Sequence, residues 1–156
     1  MMPNIDDIRR AEGIDGVRAS FAWACVDQVN DRVQEDYKTL PTKMAVTIRT
    51  SGLSQTLAFF YAKAFAKSPS LPHELLLSQT AQFFVMNGFI ADQQLALLLK
   101  NYDYQDSENR KKSILWYFLD AVIGTGFTAV QQRQATRETL KMLDWLRRFA
   151  AGKFGG

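Results

Sequence analysis

Residues 113–129 read SILWYFLDAVIGTGFTA, and the fold turns on whether this apolar run is a strand or a helix. Its tail, GTGFTA at 124–129, matches the G-x-G-x-x-A pattern of dinucleotide-binding units, with Asp144 lying 20 residues beyond Gly124. In such a unit the glycines let a pyrophosphate approach a helix N-terminus. That reading needs a strand before the glycines and several βαβ units around it. SILWYFLDAVI reads better as a helix, and no segment shows sustained apolar/polar alternation or a hairpin signal. Gly124 and Gly126 are therefore expected to close one helix and turn the chain into the next, at positive φ.

The same period runs outward in both directions. In residues 17–37, Val17, Phe21, Cys25, Val29, Val33 and Tyr37 recur every fourth residue and draw one stripe on a predicted helix. Leu40-Pro41 is expected to end it, because the residue before proline avoids helical geometry. A short helix is predicted around 43–50, closed by Gly52. Leu53, Leu57, Phe60 and Ala64 then share a face of a helix, and SPSLP breaks the chain. Pro72 and Glu74 suit the first turn of a helix that Gly88 ends. Further helices are predicted over 91–100, from Asp106 or Ser107 to Ile123, and from about Thr128 to Ala150. The expectation is an all-α single bundle of six to seven helices, some short. Its body spans 16–151, with a polar, acidic extension at 1–15 and a frayed Gly-rich tail at 152–156.

A chain of 156 residues with 47% hydrophobic residues suits one globular domain that needs no disulfide or metal. The one cysteine, Cys25, sits among small and apolar residues and reads as a core thiol, which favours a reducing compartment. The one histidine, His73, reads as part of a helix start. No zinc-ligand spacing occurs. With no secretory pattern and no apolar run near 20 residues, a cytoplasmic location is expected. Net charge is +3, unevenly placed. Residues 1–36 carry eight acids against four basic residues, and residues 37–156 fifteen basic residues against eight acids.

Catalytic signatures fail one by one. Neighbouring carboxylates at Glu35/Asp36 and Asp6/Asp7 do not converge on a helix. A triad has no support with one histidine and no nucleophile elbow, and no Walker loop is present. The expectation is a protein that is not an enzyme and carries no cofactor. Phe59, Phe60 and Tyr61 have the chemistry to stack on bases, but their helical spacing points to the core. Trp116, Tyr117 and Phe118 likewise read as packing residues.

Residues 133–150, RQATRETLKMLDWLRRFA, show a broad apolar face around Leu143, Leu146, Phe149 and Ala150. Arg133, Arg137, Lys141 and Arg148 follow another side at steps of four, four and seven, which keeps them aligned along the axis. Such a strip suits a phosphate backbone, whose contacts carry no sequence information. The competing reading is a solvated face, in which Arg147 and Arg148 offset the helix dipole and Glu138 pairs with Lys141.

Three blocks resemble the small-subunit family of the type III-B CRISPR effector, the Cmr complex. T-R-E-T-L-K-M-L-D-W-L-R-R-F-A, ending at Ala150, is similar to that family's C-terminal signature. Leu40-Pro41 with T-I-R-T-S-G-L-S-Q-T-L-A-F-F-Y-A-K, residues 47–63, keeps its Gly-Leu and Gln-x-Leu-Ala-Phe positions. R-A-S-F-A-W-A-C-V, residues 18–26, forms the third block. Residues 65–125 match poorly.

The resemblance implies a small helical subunit without catalytic residues, stacked in several copies beside the backbone subunits of a crRNA-guided complex. There it would wall the groove where target single-stranded RNA pairs with crRNA, base pairing supplying the specificity. Carried over by position, Arg18, Arg49, Lys63, Arg147 and Arg148 are the first candidates for RNA or neighbour contacts, with Arg137 and Lys141 beside them. Gly52 and Leu53 would set a turn, and Phe59 and Trp145 would be core. Alternatives are the small helical subunit of a type III-A effector, and an unrelated helical protein-interaction module. A dinucleotide-binding enzyme ranks last.

Overall fold

The computed structural model describes residues 5–106, 110–124 and 127–155, with the side chains of 5–12, 14 and 110 left aside. Among these residues there are seven helices of eight residues or more and one single turn, with no strand. They are α1 (Ile5–Asp27), the turn α2 (Gln34–Tyr37), α3 (Leu40–Ser51), α4 (Leu53–Ala64), α5 (Leu71–Met86), α6 (Gln93–Lys100), α7 (Arg110–Ile123) and α8 (Ala129–Phe154). The all-α bundle expected from periodicity is the fold found.

The architecture is a ring of helices around α5. Successive neighbours α1, α8, α3, α4, α7 and α6 touch, and α5 packs on every one of them. Eleven of the sixteen residues of α5 are buried, so this helix has no wet face. Its sequence therefore combines apolar residues with polar ones that can satisfy themselves inside. Ser78 and Thr80 donate to the carbonyls of Leu75 and Leu76. Gln79 accepts from Tyr37 Oη at 2.6 Å and donates to the Cys25 carbonyl at 3.0 Å. Ser70 caps α5 by accepting from the His73 N–H, which gives His73 the helix-start position expected of it. Cys25 is fully buried, and burial pushes its thiol well up.

The predicted helix over 17–37 breaks. It ends at Asp27, and tight bonds from Gln28 N to Cys25 O and from Val33 N to Asn30 O carry the chain into α2. Tyr104 stabilises the break, its hydroxyl accepting from Asn30 N and donating to Gln28 O, both at 3.1 Å. Val29, Val33 and Tyr37 are buried all the same. Leu40-Pro41 opens α3 rather than ending a helix. In a first turn the proline lacks only an N–H that has no intrahelical partner anyway.

Gly52 joins α3 to α4 at φ 87°, ψ 166°. Its N–H closes α3 on Ile48 O at 2.9 Å, and its carbonyl accepts from the Thr56 hydroxyl at 2.7 Å. No side chain blocks a Cβ there, so the constraint is the backbone angle itself. Gly52→Ala is expected to cost about 1–3 kcal/mol, readable as a lower urea midpoint with unchanged helicity before the transition.

Other differences sit at helix ends. Gly124 is not at positive φ: its N–H continues the helix to Asp120 O at 2.8 Å, and a Cβ would meet that oxygen at 2.4 Å. Gly126 and Ser107 lie outside the described residues. Thr128 forms a capping box with Gln131 at the start of α8. The tail expected to fray from 152 is helical through Phe154, whose ring packs on the core, and Lys153 pairs with Asp27 at 2.8 Å. Phe59, expected in the core, is 47% exposed, while Phe60 beside it is buried.

Candidate nucleic-acid interface

Helix α8 buries Ala135, Thr139, Met142, Leu143, Leu146 and Ala150 between α1 and α3. The opposite face carries Arg133, Arg137, Lys141, Arg147 and Arg148, all exposed. Steps of four advance about 6 Å along a helix, so Arg133, Arg137 and Lys141 stand as three cations in file. Among the described residues none of the three has an acidic partner.

Arg147 and Arg148 differ. Both pair with Asp144, at 2.8 and 2.9 Å. The Arg147 hydrogen bond, with the charges of Arg148, Arg147 and Arg49, holds the Asp144 carboxyl below its ordinary range. Arg49 lies in the last turn of α3, the helix that packs beside α8. The Arg148 guanidinium lies 5.4 Å from the Trp145 ring centre, a cation–π geometry. Trp145 stacks on Phe149, which meets Trp23 edge-on. Trp23 is exposed, so an aromatic ledge borders the strip on the α1 side. Trp145 is half-buried, not core, and its indole N–H donates to Asp15 at 3.1 Å.

Of the remaining sequence candidates, Arg18 lies inward of the strip and Lys63 lies away from it on α4. Arg18 is buried and its Nε donates to Glu138 at 2.7 Å, with Asp15 at 3.5 Å. It ties α1 to α8, and Glu138 meets Arg18 in place of the expected Lys141. Lys63 of α4 sits over Phe59, near Lys43 and His73. Burial, then Lys63 and Lys43, hold the His73 imidazole below its ordinary value, against a smaller opposing effect of Asp36. Thus Arg137, Lys141, Arg147 and Arg148 come together with Arg133 on α8, with Arg49 on the neighbouring α3; Arg18 lines a groove with Arg137 but is spent on Glu138, and Lys63 does not join them.

Sequence reasoning missed the ledge residue Trp23, whose position off the Val17–Phe21–Cys25 stripe is the signal that turns it outward. It also missed a groove beside Arg137, because one wall comes from the turn after α5, in the stretch where the resemblance is poor. Among the described residues no cluster suited to a metal ion occurs, and no helix is long and apolar enough to cross a membrane.

The described residues thus form an all-α body with a cationic strip along the outward face of α8. The family model described as CRISPR-associated protein (Cas_Cmr5) matches residues 15–153, and the chain belongs to that family. This agrees with the small subunit of the type III-B effector, so the chain is a member of a CRISPR complex with other subunits. The match begins at Asp15, just past the kink at Gly13 that interrupts α1. No solved structure matches the chain significantly.

Proposed function

We propose that this protein is a non-catalytic, RNA-lining subunit of a cytoplasmic, crRNA-guided type III-B complex in antiviral defence. Several copies stand beside the backbone subunits, and the outward face of α8 meets the guide or target strand. The observation that carries this reading is the file of unpaired cations Arg133, Arg137 and Lys141 opposite the buried face of α8. Phosphate contacts made by such side chains are sequence-independent, which suits a groove where base pairing does the selecting. Arg49, Arg147 and Arg148 extend the positive surface, although Asp144 offsets part of it.

The test compares wild type with the triple variant Arg133→Gln, Arg137→Gln, Lys141→Gln, by fluorescence anisotropy on a single-stranded RNA over a salt series. Each lost phosphate contact is expected to lower the slope of log K against log[salt] by about 0.7, so roughly 2 in all. Affinity at low salt falls roughly tenfold or more, while thermal melting stays within about 1 kcal/mol because these positions are exposed. An unchanged slope removes the strip from the interface.

A further inference from the structure

The groove between α1 and α8 is bounded at one side by the turn after α5 and has a volume of about 560 Å³. That is within the range of small-molecule pockets, roughly 300–1,000 Å³. Val17 and Phe89 give it apolar surface, Asn87 and Gln134 give it amides, and Glu138 gives it a carboxylate. Arg137 lines it as well, and so belongs both to the groove and to the cationic file on α8.

Phe89, Asn87 and Glu138 are held in place before any ligand arrives. Gly88, at φ 75°, turns the chain, and the Phe89 N–H donates to Phe84 O at 3.0 Å. The Phe89 ring then rests edge-on against Phe84, with centres 5.6 Å apart. Asn87 spends its amide N–H on Phe83 O at 2.9 Å, which leaves its carbonyl oxygen as an acceptor. Both Arg18 contacts fall on Glu138 Oε2, which leaves Oε1 as a second acceptor. Gln134 and Arg137 supply donors. A fixed aromatic ring beside paired donors and acceptors is the complement of a nucleobase, which offers a π-face and a mixed polar edge.

We propose that this groove is a nucleobase subsite: single-stranded RNA with its phosphates on Arg133, Arg137 and Lys141 turns one base inward against Phe89. The inference rests on the RNA-lining reading and adds a stacking contact to it. Positive charge along the groove's edge and the apolar, amide-bearing interior together suit one nucleotide unit, phosphate outside and base within.

The test uses the full chain and two probes, a single-stranded RNA of mixed sequence and a ribose-phosphate oligomer of equal length without bases. Phe89→Leu keeps an apolar side chain against Phe84 but removes the stacking face. It is expected to weaken the RNA probe about five- to a hundredfold, with the salt slope and the abasic probe unchanged. Gln134→Ala, on the exposed part of α8, is expected to weaken the RNA probe selectively too, and guards against a folding effect of the Phe89 change. Arg137→Gln is expected to weaken both probes. RNA binding unchanged in both Phe89→Leu and Gln134→Ala overturns the subsite while leaving the strip intact. The same holds if those variants lose only their retention by partner subunits, since the groove then holds a protein side chain. Silence of Arg137→Gln together with both groove variants overturns the strip as well.

Discussion

Lys111→Met is expected to destabilise the fold by about 3–5 kcal/mol, the range for breaking a buried ion pair from one side. Glu74 of the central helix is 3% exposed, and Lys111 Nζ reaches its Oε2 at 3.1 Å. The Tyr102 hydroxyl donates to the same carboxylate at 2.6 Å, and Lys111 also donates to Tyr104 O at 2.9 Å. One ammonium therefore neutralises the carboxylate and fastens the 101–106 segment that bridges the break after α1. Removing it leaves a buried anion with one hydroxyl. Glu74→Gln added to Lys111→Met should restore most of the loss, because a neutral amide still accepts from Tyr102 and needs no cation.

The pH dependence follows from the same pair. Burial raises the Glu74 carboxyl above its ordinary value, against the hydrogen bonds of Tyr102 and Lys111, which lower it. A group whose folded value is raised adds stability below the unfolded value, and that stability is lost as pH rises through the folded value. Without Lys111 the carboxyl rises further. The deficit of Lys111→Met is thus expected to shrink as pH falls toward the carboxyl range and to be fullest near neutrality. Urea titrations at pH 5 and pH 7.5 measure this directly, and a deficit that grows on acidification contradicts the assignment.

Phe84→Ala is the second large effect, at about 3–5 kcal/mol. Its ring is fully buried, edge-on to Phe118 at 5.4 Å and to Phe89 at 5.6 Å, and stacked with Phe127 at 6.4 Å. It joins α5, α7, the turn after α5 and the entry to α8 in one cluster. Deleting it opens a cavity that four separate segments would have to close. Tm should fall by roughly 2–4 °C for each kcal/mol lost. Phe84→Leu, which keeps most of the volume, should lose clearly less.

The helical character was legible because burial repeats at the helical period even where the helix does not. Val17 to Tyr37 kept a perfect stripe, and every member of it is buried. The break inside it was not legible, since its partners come from Tyr104, far along the chain. Leu40-Pro41 misled for a local reason: proline before a helix and proline after one look alike in a single sequence. GTGFTA was legible only in part: the run before it is a helix, as its period suggested, but Gly124 continues that helix onto Asp120 O instead of turning the chain at positive φ.

The strip on α8 was legible from steps of four within one helix. The fate of Arg18 was not, because Glu138 lies 120 residues away. Spacing cannot tell an exposed arginine from one spent on a distant carboxylate. Trp145 and Phe59 show the same limit from the other side. Large rings in apolar surroundings are expected inside, yet each sits where its helix turns toward the surface, one beside Arg148 and one beneath Lys63.

RNA–protein cross-linking in the assembled complex, read out by mass spectrometry, asks which side of this subunit meets the strand. The account predicts cross-linked peptides from residues 133–148 of α8, with the turn at 87–89 joining them. Cross-links confined to the α4 and α7 face around Trp116, with α8 untouched, would contradict it.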